Sequence, residues 1–122
     1  MILVVGSEGS GKREYVKSLG YRDEELSCSI TGDKPVLYHL EKLVFADPEG
    51  TDGLLADALK KEVVICSEVG SGVIPALYSE RVGREATGRL CILLAREADA
   101  VVRMVCGIPQ VIKGEAPGIR KI

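Results

Sequence analysis

Three short apolar runs, each followed by a turn that contains glycine, constrain the fold of this chain most. They are residues 2–5, 63–66 and 100–106, and they lead into Gly6, into the stretch SEVGSG and into the stretch CGIP. Short runs that are apolar throughout are typical of strands covered on both faces of a parallel sheet. The sequence therefore predicts an α/β fold with a small, mostly parallel sheet of three to five strands.

A helical pattern connects the second apolar run to the third. Apolar residues recur at helical spacing there while charged residues take the other positions, which predicts a crossover helix and a right-handed βαβ unit. Gly83 and Gly88 each cost this helix up to about 1 kcal/mol relative to Ala, so we expect close packing or a nearby ligand to explain them. The predicted apolar face is Val82, Ala86, Leu90, Leu93, Leu94 and Ala98.

The stretch from residue 13 to residue 62 is harder to interpret. Helices are predicted for residues 14–19, 36–46 and 54–61, and LSCSI at residues 26–30 has the composition of a short strand. The tail from about residue 114 has no periodicity and is expected to be flexible. With 122 residues and no internal repeat, the chain is predicted to form a single domain.

Charge and composition exclude several classes of function. Sixteen Lys and Arg against 18 Asp and Glu give a formal net charge of −2, so no basic footprint for nucleic acid is expected. No segment resembles a signal peptide or a membrane span, which favours a cytoplasmic location without membrane contact. The four cysteines form no CxxC pair, which favours reduced, packed thiols over a zinc site or a disulfide.

The stretch VVGSEGSGKR has the outline of a phosphate-binding loop. A strand precedes the spacing GxxxxGK and a helix follows it, so backbone N–H groups can turn toward an anion and Lys12 can add positive charge. Lys12 is therefore a candidate both for binding and for catalysis by charge neutralisation. The predicted nucleotide-binding residues of the loop are Gly6, Ser7, Glu8, Gly9, Ser10, Gly11, Lys12 and Arg13.

Two residues depart from the usual loop. Arg13 stands where a Ser or Thr hydroxyl would ligate magnesium, and a guanidinium has no acceptor for a metal, so the Mg²⁺ site is in doubt. Arg13 either adds charge to the phosphates or points away from them. Glu8 lies at the exposed crest, where it would weaken anion binding only modestly.

Glu68 follows the buried run at residues 63–66, at the carboxyl end of a predicted strand, where ligands gather in open parallel sheets. A carboxylate there can hold Mg²⁺ or its water, so Glu68 is the candidate metal ligand. The alternative is a charged residue that merely ends a strand.

Three ordered motifs resemble a known family. The stretches SEVGSGVIP, RVGREATGRL and ADAVVRMVCGIPQVIK are similar to the carboxyl half of the adenosylcobinamide kinase/adenosylcobinamide-phosphate guanylyltransferase family. Its pattern runs NEVG-x-G-[IV]-[IV]-P, R-x3-G-R, then an AD-x-V strand and GI-x3-IK. Together with the Gly6 loop, the resemblance covers residues 1–13 and about 63–113, with Ser67 in place of Asn.

The resemblance implies a function and a set of ligands. The family phosphorylates adenosylcobinamide and then transfers GMP from GTP through a guanylylated histidine, during cobalamin assembly. For this chain it implies a P-loop fold, GTP or ATP with Mg²⁺ as cofactors, a corrinoid substrate and self-association into a homo-oligomer. It also implies that Glu68 lies beside the triphosphate and that Arg84 and Arg89 reach phosphate or a neighbouring subunit.

The middle section is much shorter than in full-length members of that family. His39 is the only histidine, and it is the candidate nucleophile because imidazole is nucleophilic near neutral pH. A packing or surface role for His39 remains open. Two alternatives to a catalytic kinase/guanylyltransferase also remain: a nucleotide-binding module or partner subunit without turnover, and an unrelated P-loop kinase of small metabolites.

Overall fold

A computed structural model describes residues 1–68 and 77–120. Within these ranges six strands form one sheet, and four α-helices and a one-turn 3-10 helix at Asp23–Glu25 cover or connect them. The strands are β1 (Ile2–Gly6), β2 (Leu26–Ser27), β3 (Val36–Leu37), β4 (Val63–Ser67), β5 (Ala100–Val105) and β6 (Ile108–Lys113). The helices are α1 (Lys12–Ser18), α2 (Leu40–Ala46), α3 (Thr51–Ala58) and α4 (Tyr78–Glu97).

The sheet has the order β2-β3-β4-β1-β5-β6, with β1 at its centre. β1 is parallel to both of its neighbours, and Ile2 is in register with Val63 on one side and Ala100 on the other. β6 pairs antiparallel with β5, to which it is joined by a tight turn at Cys106 and Gly107. The predicted mostly parallel α/β fold is confirmed.

The sheet contains one strand more than the upper limit expected from the sequence. β2 and β3 are two residues long, which is too short to produce a recognisable pattern. All six residues of β6 are exposed, so this edge strand lacks the continuous apolar character by which β1, β4 and β5 were recognised. Short strands and exposed edges leave the weakest signals in a sequence.

Helices cover both faces of the sheet. α1 packs on one face, where its Val16 joins a buried cluster with Val4 and Ile65. α2, α3 and α4 pack on the other face around Leu3 and Val64. This arrangement places the Gly6 loop at the carboxyl edge of the sheet, between a central buried strand and α1.

The prediction of one helix over residues 36–46 is wrong in its first half. Val36 and Leu37 are fully buried and pair with β4 as strand β3, and α2 begins only at Leu40. His39 separates the two elements in a left-handed conformation, with φ of 64°. Pairing of two buried apolar residues with a neighbouring strand therefore overrides the helical spacing. The other predicted helices exist with shifted ends, and LSCSI supplies only Leu26–Ser27 of a strand.

The crossover helix α4 is confirmed, and packing explains one of its two glycines. A Cβ atom on Gly83 would lie 2.8 Å from the ring of Phe45 on α2, so a side chain there would force the two helices apart. Among the residues that the structure describes, nothing lies within 4 Å of the corresponding position on Gly88, and they give no reason for that glycine. Leu93, expected on the buried face, is 39% exposed.

The tail was expected to be flexible, but Arg120 near its end makes specific contacts. Its backbone N–H donates a 2.8 Å hydrogen bond to the carbonyl of Leu19. Its guanidinium pairs with Glu25 and lies 4.1 Å from the ring centroid of Tyr21. Residues 114–119 form no helix or strand. These contacts connect the tail to the segment that follows α1.

None of the helices in the two described ranges combines the length and the apolar character needed to cross a membrane.

Candidate nucleotide-binding and nucleophile site

The Gly6 loop is closed tightly over the end of β1, and two of its glycines are required by the geometry. A Cβ on Gly6 would lie 2.5 Å from the Ser10 hydroxyl oxygen and 2.8 Å from the carbonyl oxygen of Met104. Gly11, with φ of 94°, immediately precedes α1 and lies against Gly107. The two glycines of the sequence spacing, Gly6 and Gly11, are thus required: a larger residue at either position could not adopt this loop backbone.

Lys12 and Ser10 are buried polar residues inside this loop. The Lys12 ammonium donates a 2.7 Å hydrogen bond to the carbonyl of Ser7, so it points back across the loop rather than into solvent. The Ser10 hydroxyl is buried and has no hydrogen-bond partner among the described residues. A buried hydroxyl without a partner costs folding free energy unless a ligand binds it. Both groups are therefore suited to an anion held in the loop.

The hairpin turn between β5 and β6 supports the loop from the side. The N–H of Gly107 donates a 2.9 Å hydrogen bond to the carbonyl of Ser10. Between this turn and α1 lies an open cavity of about 750 Å³. Its lining is mainly apolar, and it adjoins the loop directly. The lining residues include Gly9, Gly11, Glu14, Tyr15, Met104 and Pro109.

Arg13 points toward the 3-10 helix rather than across the loop. Its guanidinium forms a 2.8 Å ion pair with Asp23 and lies 5.8 Å from the ring centroid of Tyr38. The hydrogen bond from Arg13 lowers the pKa of the Asp23 carboxyl. Arg13 nevertheless lines a second cavity of about 220 Å³ together with Lys12 and Tyr38. Of the two interpretations of Arg13, the geometry favours the one in which it is a surface residue beside the loop.

Glu68 lies next to the loop, as expected for a residue that ends a strand beside β1. Its backbone N–H donates a 2.8 Å hydrogen bond to the carbonyl of Gly6. Its carboxylate, however, accepts a 2.7 Å hydrogen bond from Nε of Arg103 on β5, and this contact raises the pKa of Arg103. The ion pair spans the end of β1. A metal role for Glu68 stays a prediction that requires this pair to open.

His39 lies at the same carboxyl edge, at the end of β3. Its ring contacts that of the neighbouring Tyr38 at a tilt of 47°, with 3.7 Å between ring centroids. Tyr38 lines the 220 Å³ cavity beside Lys12. Its Nδ1 is 3.6 Å from Oε2 of Glu41. A left-handed conformation is rare for a residue with a side chain, and such residues cluster at functional sites.

Glu41 is a site residue that sequence reasoning missed. It is buried on α2, where its Oε1 accepts a 3.0 Å hydrogen bond from the N–H of Ser67 while Oε2 faces His39. One carboxylate thus lies between the imidazole of His39 and the backbone N–H at the end of β4. The sequence signal was a carboxylate two residues after the only histidine, but that spacing acquires meaning only once β3 ends and α2 begins between them.

Arg84 and Arg89 are not brought to the loop by the described contacts. Both lie on α4, which packs on the face of the sheet opposite to α1. Arg84 is half-buried and Arg89 is exposed. Their predicted contact with phosphate or a neighbouring subunit stays untested. Most of the motif SEVGSGVIP falls on residues 69–76, outside the described residues.

The described residues do not fit a preformed magnesium site. Arg13 replaces the hydroxyl ligand, the carboxylate of Glu68 is paired with Arg103, and no group of three His, Cys, Asp or Glu residues in residues 1–68 and 77–120 is placed to hold a metal. Any Mg²⁺ would therefore have to depend on the nucleotide for most of its ligands.

A strand, a closed glycine loop and a buried lysine at the carboxyl edge of a parallel sheet define a P-loop nucleotide-binding fold. Residues 42–112, more than half of the chain, match the model of the family described as cobinamide kinase / cobinamide phosphate guanyltransferase. The chain belongs to this family, whose members act in cobalamin biosynthesis and use nucleoside triphosphates and cobinamide substrates. A search of curated proteins gave no match.

Proposed function

We propose that this chain binds a nucleoside triphosphate in the Gly6 loop and uses it to activate a corrinoid, as an adenosylcobinamide kinase and adenosylcobinamide-phosphate guanylyltransferase. The observation that carries the proposal is the buried pair of Lys12 and Ser10 inside the loop. Family membership supplies the substrate class. GTP and ATP are both candidates for the phosphate donor.

The two cavities beside the loop support a placement of the nucleotide. Phosphates in the loop would accept hydrogen bonds from its backbone amides, from Ser10 and from Lys12. The 750 Å³ cavity between α1 and the β5–β6 turn is large enough for the nucleoside half, with Tyr15, Met104 and Pro109 offering apolar contact. The smaller cavity then extends from the loop to Tyr38, which directly precedes His39 in the chain.

His39 is proposed to be the guanylylated nucleophile. Glu41 would hold the proton on Nδ1, which leaves the lone pair of Nε2 to attack the α-phosphorus of GTP. A P–N bond forms, the bond to the β-phosphate breaks, and pyrophosphate leaves. Glu41 then faces the Nδ1–H of the cationic adduct, which it stabilises. The corrinoid phosphate would next take the GMP group and return neutral His39.

A nucleotide-binding module without turnover is the second candidate. Two features support it: Arg13 stands where a magnesium-dependent P-loop enzyme has a hydroxyl ligand, and the carboxylate of Glu68, the candidate metal ligand, is paired with Arg103. Such a module would bind nucleotide in the same loop and form no covalent adduct. The two candidate functions therefore differ in one observable, the formation of a covalent GMP adduct.

The test is incubation of the full chain with GTP and Mg²⁺, followed by intact mass measurement and peptide mapping. We expect one added GMP on His39, absent from His39→Ala. Glu41→Gln, which keeps the shape of the side chain, should slow adduct formation by roughly tenfold or more without changing GTP affinity. Binding of GTP with no adduct would favour the module, whereas an adduct that survives His39→Ala would place the nucleophile elsewhere.

A further inference from the structure

Two cysteines lie in contact where α4 crosses β4. Cys66 on β4 is buried, Cys91 on α4 is half-buried, and their Sγ atoms are 3.6 Å apart. Both are free thiols. They belong to the packed layer between the sheet and α2, α3 and α4, on the face of the sheet opposite to α1. Nothing in the proposed nucleotide chemistry uses them.

The two thiols are chemically different. A hydrogen bond shared with Cys91 and burial raise the pKa of Cys66, whereas the same hydrogen bond lowers the pKa of Cys91. The nearby carboxylate of Glu41 opposes ionisation of both. Cys91 is also the one that reaches the surface. A small reagent therefore reaches the pair through Cys91, which is the thiol we expect to react first.

We propose that Cys66 and Cys91 form an oxidation site, at which a small peroxide converts the two thiols into an intrachain disulfide between β4 and α4. The sulfurs must approach from 3.6 Å to roughly 2.05 Å, a movement within reach of side-chain rotation and a small helix shift. Cys28, directly after β2, and Cys106, in the turn between β5 and β6, are exposed, so they offer controls in the same chain.

The chemistry balances with hydrogen peroxide as oxidant. The Cys91 thiolate attacks one peroxide oxygen, the O–O bond breaks, and hydroxide leaves and takes a proton to become water. The thiol of Cys66 then attacks the sulfur of the Cys91 sulfenic acid, an S–S bond forms and the S–O bond breaks. The departing oxygen leaves as a second water. The pair loses two electrons and two protons, and the peroxide is reduced to two waters.

The disulfide would constrain a part of the chain next to the candidate site. It would close a loop that contains Ser67, whose N–H holds the carboxylate of Glu41. Linking α4 to β4 reduces the freedom of the unfolded chain. For a loop of this length in a domain of this size, we expect the midpoint of thermal unfolding to rise by about 10 to 15 °C.

The experiment uses the full chain with Cys28→Ser and Cys106→Ser, so that only the buried pair remains, and hydrogen peroxide under native conditions. We expect the intact mass to fall by about two hydrogens, mapping to a Cys66–Cys91 link, and reductant to reverse both this change and the thermal shift. Cys91→Ala in the same background is the matched control and should show no such loss. No nucleotide is needed, so the result is independent of the proposed enzymatic function.

Three outcomes would overturn the proposal. In the first, Cys66 and Cys91 both stay free thiols at a peroxide concentration that oxidises Cys28 and Cys106 in the unmodified chain. Another is oxidation that stops at sulfinic acid, with a gain in mass and no link. In the third, the link forms only after denaturant is added, which would mean that peroxide does not reach the two thiols in the native protein.

Discussion

Two regions of this molecule support the proposed function in different ways: one by its match to a family, the other by the residues of the candidate site. Residues 42–112 match the family model, and they contain β4, the crossover helix α4 and β5. Residues 1–41 lie outside that match and contain β1, the Gly6 loop, Lys12 and His39. Yet β1 lies between β4 and β5 as the central strand of the sheet. The part recognised by family and the part that holds the candidate chemistry therefore contribute strands to the same sheet.

The polar groups of the two regions also differ. In the loop, the Ser10 hydroxyl lacks a partner within residues 1–68 and 77–120, and the Lys12 ammonium donates a hydrogen bond to a backbone carbonyl. At the end of β4, one strand away, Glu68 and Arg103 satisfy each other. Polar groups that a fold leaves incompletely satisfied are suited to a ligand, whereas satisfied pairs must first be broken. We therefore expect substitutions in residues 1–41 to affect nucleotide binding more than those in residues 42–112.

The largest expected effect is that of Lys12→Ala. Loss of one charge-assisted contact with phosphate should weaken nucleotide binding at least tenfold, or about 1.4 kcal/mol. The matched control is Lys17→Ala on the same helix, because Lys17 is exposed and pairs with Asp23. Calorimetry with GTP and ATP measures both variants. Equal affinity in Lys12→Ala and the unmodified chain would show that the loop is not the binding site.

The next largest effect is expected from breaking the ion pair between Glu68 and Arg103. Arg103→Ala should leave the Glu68 carboxylate available for a cation. The factor by which Mg²⁺ increases nucleotide affinity should then rise about threefold, which is less than the effect expected for the loss of the Lys12 contact. Glu68→Gln in the unmodified background should change that gain little. If Glu68→Gln alone abolishes the Mg²⁺ effect, the pair opens when nucleotide binds and Glu68 is a metal ligand after all.

The features predicted correctly from the sequence are those with local physical signatures. Continuous apolar runs identified β1, β4 and β5, the helical spacing identified α4, and the glycine spacing identified the loop. The predictions failed where tertiary contacts determine the secondary structure. Val36 and Leu37 have a helix-compatible spacing but pair with β4, and β6 has no buried face from which to be recognised.

Long-range pairs could not be predicted for a similar reason. Glu68 was placed beside the loop from the rule that parallel strands end at one edge, and its backbone lies there. Its partner Arg103 comes 35 residues later, and nothing in the local sequence signals that pairing. The contact of Glu41 with His39 depends on the left-handed turn at His39, and the contact of Cys66 with Cys91 depends on how α4 lies across the sheet.

A smaller effect is expected at Arg13. Because its guanidinium is paired with Asp23 and not directed across the loop, removing it should cost little direct affinity. Arg13→Ser restores the hydroxyl that ordinary P-loops offer to Mg²⁺, so the dependence of binding on Mg²⁺ should rise by about twofold to threefold. Affinities for GTP and ATP are measured with Mg²⁺ and with a chelator. Strong dependence in the unmodified chain, left unchanged by the substitution, would show that the metal is held elsewhere.

The smallest expected effect concerns how the tail is attached to residues 1–41. The hydrogen bond from Arg120 lowers the pKa of Glu25 from 4.5 to about 2. A carboxyl whose pKa is depressed on folding adds stability that is complete above its unfolded pKa and disappears as the pH falls through its folded pKa. The contribution of this pair should therefore be constant above about pH 5 and decline between about pH 4.5 and pH 2.

Arg120→Gln should lower the urea midpoint at pH 7 slightly and flatten the loss of stability over that acidic range. The control is Arg96→Gln, an exposed arginine on α4 within the family-matched region. Urea titrations from pH 2 to pH 7 compare the two variants with the unmodified chain. An Arg120→Gln profile parallel to that of the unmodified chain would mean that the tail contact does not persist in solution. The tail would then be as flexible as its lack of periodicity predicts, and residues 1–41 would be held in the fold through β1 and its neighbours without help from the tail.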